Sequence, residues 1–148
     1  MGTAFPQTCS EVATEPTQIA IEGIDEPTIL QYFERLNAGN FEATSQLFAL
    51  EGMLQPPFEA MVIGQTEIAA YLQKEAKGFI LLPQQGQQVL ESENLENDDT
   101  EFLVLGKVQT SLFTVNVSWT FVLNPNKQIV LAKVNLLASL QELMHLRQ

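Results

Sequence analysis

The sequence has little of what covalent or metal chemistry requires. One cysteine, Cys9, and one histidine, His145, stand near opposite ends of 148 residues. A lone cysteine excludes an internal disulfide and suits a reducing compartment, so a cytoplasmic setting is expected. One His and one Cys cannot build a zinc site, and they would form a nucleophile–base pair only if two chain ends met. No metal and no catalytic residue is therefore expected, and His145 reads as an exposed residue of a tail helix. There is no glycine-rich phosphate loop. Basic residues are scarce as well: 7 Lys and Arg face 18 Asp and Glu, a net charge of −11. That excludes a nucleic-acid partner, which needs clustered Lys and Arg, and disfavours electrostatic docking on anionic lipid. No apolar run approaches the length of a membrane span. The opening MGTAFPQTCSE has neither a basic nor an apolar stretch, so no secretory signal is expected. Pro6 stands where an N-myristoylation motif needs Ser or Thr.

What is present is apolar and patterned. Hydrophobic residues make up 45% of the chain, enough for one domain with a real core. Residues 1–18 carry Pro6, Pro16 and Cys9 with little periodicity and read as a flexible tail; the domain is expected over 19–148. Glu26-Pro27 opens a helix with Ile29, Tyr32, Phe33 and Leu36 on one face. Asn37-Ala38-Gly39-Asn40 ends it, and Asn40 is placed to cap a second helix bearing Phe41, Leu47 and Phe48. Residues 52–63 read as irregular, because Pro56-Pro57 forbids a central strand. Residues 64–76 form a third helix with Ile68, Tyr71 and Leu72 together. From Phe79 the period changes to two, predicting strands over 79–90, 101–110, 113–123 and 128–137. Residues 91–101 are acidic and read as a solvated loop. Leu140, Leu143 and Met144 suggest a short C-terminal tail helix. Helices followed by long strands indicate an α+β fold: a curved antiparallel sheet with three helices on one face, a cone with an apolar interior.

Val115 to Leu123 reads VNVSWTFVL, with Val115, Val117, Trp119, Phe121 and Leu123 on one side. The only Trp of the chain lies mid-face. Its indole N–H must find a partner when buried, which Val or Leu would not demand. Tyr32 brings a hydroxyl into an equally apolar helix face. Each alone is an ordinary large core residue. Together they suggest two donors at the closed end of a greasy pocket, holding one acceptor oxygen of a hydrocarbon ligand.

The segments TILQYFERLNAGNF (28–41), GMLQPPFEAMVIG (52–64), LGKVQT (105–110), WTFVLNP (119–125) and VNLLAS (134–139) resemble the C-terminal domain of the cyanobacterial orange carotenoid protein. The chain is most similar to the stand-alone homologues of that domain, within the nuclear-transport-factor-2-like superfamily. The resemblance covers residues 19–147 and implies a conical fold and a bound ketocarotenoid, canthaxanthin or echinenone. It implies that Tyr32 and Trp119 hydrogen-bond the ring carbonyl. Ala76, Phe113, Val117 and Phe121 are expected in the pocket lining, and Glu75 matches a residue that meets a helical partner domain. It further implies no enzymatic activity, carotenoid storage and delivery in support of photoprotection and singlet-oxygen quenching, transient membrane contact, exchange with a helical carotenoid protein or N-terminal-domain homologue, and a homodimer around one carotenoid. Cys9 is a candidate for a redox-dependent dimer bridge. The resemblance does not extend to the helical domain of the photoactive protein, so light-switched photoprotection by this chain alone is not expected. Ala76 stands where many relatives carry Cys, Ser111-Leu112 replaces Pro-Trp before a shortened hairpin, and Leu140 replaces a Pro. Two other functions are compatible with such a cone: a small-pocket isomerase or dehydratase, which needs an inward Asp, Glu or His, and an assembly module whose pocket is merely core.

Overall fold

The computed structural model describes residues 19–90 and 98–137. The expected N-terminal tail with Cys9, most of the 91–101 loop, and the tail helix with His145 lie outside the described residues. Within them are helices α1 (Pro27–Asn37), α2 (Phe41–Ser45) and α3 (Gln65–Glu75), and strands β1 (Phe48–Gln55), β2 (Val62–Ile63), β3 (Ile80–Val89), β4 (Thr100–Gln109), β5 (Thr114–Leu123) and β6 (Ile129–Leu137). The strands form one curved sheet in the order β2-β1-β6-β5-β4-β3, with the three helices packed against it.

The four long strands fall within a residue of the expected bounds, where a broadly period-two pattern and flanking turn residues mark them. β4 alternates buried Phe102, Val104, Gly106 and Val108 with half-buried neighbours, and β5 pairs with it across ten residues in register. Val104 lies opposite Trp119, and Phe102 opposite Phe121.

Two expectations are corrected at the start of the sheet. α2 is only five residues long: Asn40 does cap it, accepting from the Ala43 N–H at 3.1 Å, but Leu47 and Phe48 lie beyond it. The stretch expected to be irregular from Gly52 belongs in part to β1, which pairs parallel with β6 and antiparallel with β2. The sheet is therefore mixed rather than wholly antiparallel. The register shifts between Phe48 and Met53, and such an irregularity destroys the period-two signal. Pro56-Pro57 ends the strand, as proline chemistry requires.

α1 is pinned at both ends. Glu26 caps it by accepting from the Thr28 N–H (3.3 Å) and pairs with Lys127 Nζ (3.2 Å). The Thr28 hydroxyl donates to the Lys127 carbonyl at 2.9 Å, which fixes the helix start to the β5–β6 turn. At the other end the Asn37 side chain donates to the Leu81 carbonyl (2.9 Å) and accepts from its N–H (2.7 Å), as a neighbouring strand would. The helix that carries Tyr32 and Phe33 is thus held across the sheet from β5 to β3.

Candidate functional site

Between the helices and the concave face of the sheet lies a cavity of about 280 Å³. α1 contributes Tyr32 and Leu36; α3 contributes Tyr71, Leu72 and Glu75, with Ala76 just beyond; β4 to β6 contribute Val108, Val117, Trp119, Val134 and Leu136. Period-two strands put Val115, Val117 and Trp119 on the cavity side together. The interior is almost wholly hydrocarbon.

The two donors mark the closed end. Tyr32 is 2% and Trp119 1% exposed, whereas Phe113 and Leu136 at the other end are 58% and 45% exposed. Among the described residues nothing accepts a hydrogen bond from the Tyr32 hydroxyl or the Trp119 indole N–H. Buried polar groups are nearly always paired, so two orphan donors lining one cavity, Tyr32 from α1 and Trp119 from β5, call for an acceptor that arrives from outside. Burial, and secondarily Tyr71, pushes the Tyr32 hydroxyl well above the ordinary tyrosine range, so it remains a neutral donor at any physiological pH.

Phe33 organises both. It is fully buried and meets Tyr32 (centroids 5.3 Å, 86°) and Trp119 (4.8 Å, 85°) nearly perpendicularly. Phe121, expected in the lining, is not there. It lies behind the wall at 0% exposure, 5.0 Å from Tyr32 and 5.8 Å from Phe33. A side chain on the inward face of a strand reaches the cavity only where no helix residue covers it, and Tyr32 and Phe33 cover this one. Ala76, Phe113 and Val117 do line the cavity.

Glu75, expected as a contact for a helical partner domain, borders the cavity from the last turn of α3. It is exposed, whereas both donors are buried. Tyr71, also on the lining, donates to Glu59 Oε1 at 3.2 Å and ties α3 to the β1–β2 connection. Its hydroxyl is pushed up to about 12 by burial, then by the Glu59 charge and hydrogen bond, and by Glu75. Among the described residues no group of three or more His, Cys, Asp or Glu could hold a metal ion, and no helix is long and apolar enough to cross a membrane.

No family model matches the chain. The orange carotenoid-binding protein of Limnospira maxima is 35% identical over 147 residues, 97% of this chain and 45% of its own length. That of Synechocystis sp. is 35% identical over 133 residues, 87% of this chain and 41% of its own. The Anabaena orange carotenoid protein, solved with canthaxanthin bound, superposes with a TM-score of 0.77 at 36% identity over 86% of this chain and 41% of that one. The chain is a homologue of the C-terminal domain of the orange carotenoid proteins. It spans less than half the length of these relatives. An NTF2-like protein from Novosphingobium aromaticivorans, 18% identical with a TM-score of 0.59 over 99% of both chains, shares the fold alone. The fold is accordingly the NTF2-like cone.

Proposed function

We propose that this chain binds a ketocarotenoid, with one ring carbonyl accepting from both Tyr32 and Trp119. The observation that carries the proposal is the pair of orphan donors at the closed end of an apolar cavity. The names of the relatives, carotenoid-binding proteins with one solved around canthaxanthin, support a carotenoid ligand; the ligands proposed for this chain are canthaxanthin and echinenone. The chain then acts as a carrier that stores and delivers carotenoid, through transient hydrophobic contact with membranes and exchange with a helical carotenoid protein, in support of photoprotection and singlet-oxygen quenching. The setting is cytoplasmic. Its chemistry is binding rather than catalysis: the Glu75 carboxylate is solvent-exposed while the two donors are buried, an arrangement that does not pair a buried acid and base around one reacting atom.

A carotenoid spans a bilayer core of roughly 30 Å, while a compact chain of this length has a radius of gyration of about 15 Å. One cavity covers part of the ligand, and the uncovered hydrocarbon disfavours a monomer at roughly 25 cal/mol per Å². A diketo ligand is nearly two-fold symmetric, so a second copy completes the enclosure with the same two donors. We assign one diketo-carotenoid to two chains.

Purification from cells that make canthaxanthin, with a visible spectrum and pigment quantified per chain, tests this. A coloured dimer with one pigment per two chains is expected. A colourless protein removes the proposal; a coloured monomer with one full pigment removes the sharing only.

A further inference from the structure

The cavity of about 280 Å³ is smaller than the carotenoid it is proposed to hold, and lies just below the range usual for drug-sized ligands, roughly 300–1,000 Å³. A space of that size suits a compact substituted ring better than a whole polyene. The polar demands of the cavity are equally local. Both orphan donors, Tyr32 and Trp119, are buried at the closed end, and the rest of the lining is mostly Leu, Val, Pro, Phe and Ala. No Lys, Arg or His is among the described residues that line it, while Glu75 borders the mouth. A carboxylate ligand would be buried without a cation and meet a like charge on the way in. A neutral ligand with one acceptor oxygen on a compact ring satisfies every group present.

We infer that the donor end is a self-sufficient site for free cyclic ketones: a small, methyl-substituted cyclohexenone binds there whole, without a polyene chain. This rests on the reading of Tyr32 and Trp119 as carbonyl donors and extends it to a second class of ligand. Such a ring fills the closed end, gives both donors their acceptor, and leaves the exposed mouth at Phe113 and Leu136 empty. A ring ketone and a carotenoid compete for the same donors, so the small ligand blocks pigment uptake at the innermost point of the site.

The chain carries its own reporter, because its single tryptophan is Trp119. Titration of the pigment-free protein with isophorone, a trimethylated cyclohexenone, is expected to give a saturable change in Trp119 fluorescence with a dissociation constant on the order of 0.1 mM. The ketone-free hydrocarbon, trimethylcyclohexene, and the Tyr32→Phe protein with isophorone should each bind roughly three- to tenfold more weakly, the loss of one or both hydrogen bonds. Isophorone at saturation should slow canthaxanthin uptake by the parent. A parent protein that takes up canthaxanthin but gives no saturable response to isophorone overturns the inference and leaves carotenoid binding standing. Equal affinity for ketone and hydrocarbon also overturns it. A protein that binds neither isophorone nor canthaxanthin removes both.

Discussion

The ring of Phe33 meets that of Trp119 edge-on, with centroids 4.8 Å apart and planes at 85°. The same Phe33 stands at 86° to Tyr32, its neighbour in the chain. One buried residue without a polar atom thus fixes the orientation of both donors. Each such pair contributes roughly 0.5–1.5 kcal/mol beyond area burial. Phe33→Leu keeps most of the apolar volume and loses both edges. It should destabilise the domain by about 2–3 kcal/mol in denaturant titrations and broaden the visible band of bound canthaxanthin. A destabilised variant with an unchanged spectrum would reduce Phe33 to ordinary packing.

Tyr32→Phe separates stability from binding. In the ligand-free protein the Tyr32 hydroxyl is buried with no acceptor among the described residues, a configuration that is unfavourable. Removing it should leave the free protein as stable as the parent or up to about 1 kcal/mol more stable, while canthaxanthin binding weakens by about 0.5–1.5 kcal/mol. Thermal melts of both forms check this. A large loss of stability in the ligand-free variant would mean that the hydroxyl already has a partner.

Tyrosine ionisation gives a pH prediction. The chain has two tyrosines, Tyr32 and Tyr71, and both hydroxyls are raised by burial, Tyr71 to about 12. Folded protein should therefore show no tyrosinate absorbance near pH 10, where urea-unfolded protein titrates. Above about pH 10 the unfolded chain binds fewer protons than the folded one, so stability is full below that pH and falls as pH rises through the folded values. A half-titrated folded protein at pH 10 would contradict the raised ionisation of at least one of the two hydroxyls.

Asn37→Ala tests how α1 is held. The Asn37 side chain satisfies both the N–H and the carbonyl of buried Leu81, at 2.7 and 2.9 Å. Its loss leaves two backbone groups unpaired and should destabilise by about 2–3 kcal/mol. Hydrogen exchange at the Leu81 amide should accelerate more than at Val117. Uniform acceleration would point to a global effect instead.

The sequence alone determined the long strands β3 to β6, the cap and length of α1, and the inward side of VNVSWTFVL, because local period and capping chemistry act within a few residues. It also singled out Tyr32 and Trp119, since a polar tip on an apolar face is visible in one dimension. β1 was hidden because a register shift after Phe48 breaks its alternation and because its parallel partner, β6, lies some eighty residues away in the chain. Only the tertiary structure decided that Phe121 stands behind the cavity wall while Glu75 borders the mouth. Periodicity tells which side of a strand a residue faces, but not whether a side chain from another element lies over it. The same reason governs the donors: their residue types are local facts, whereas the lack of an acceptor for them among the described residues is a property of everything that packs against them.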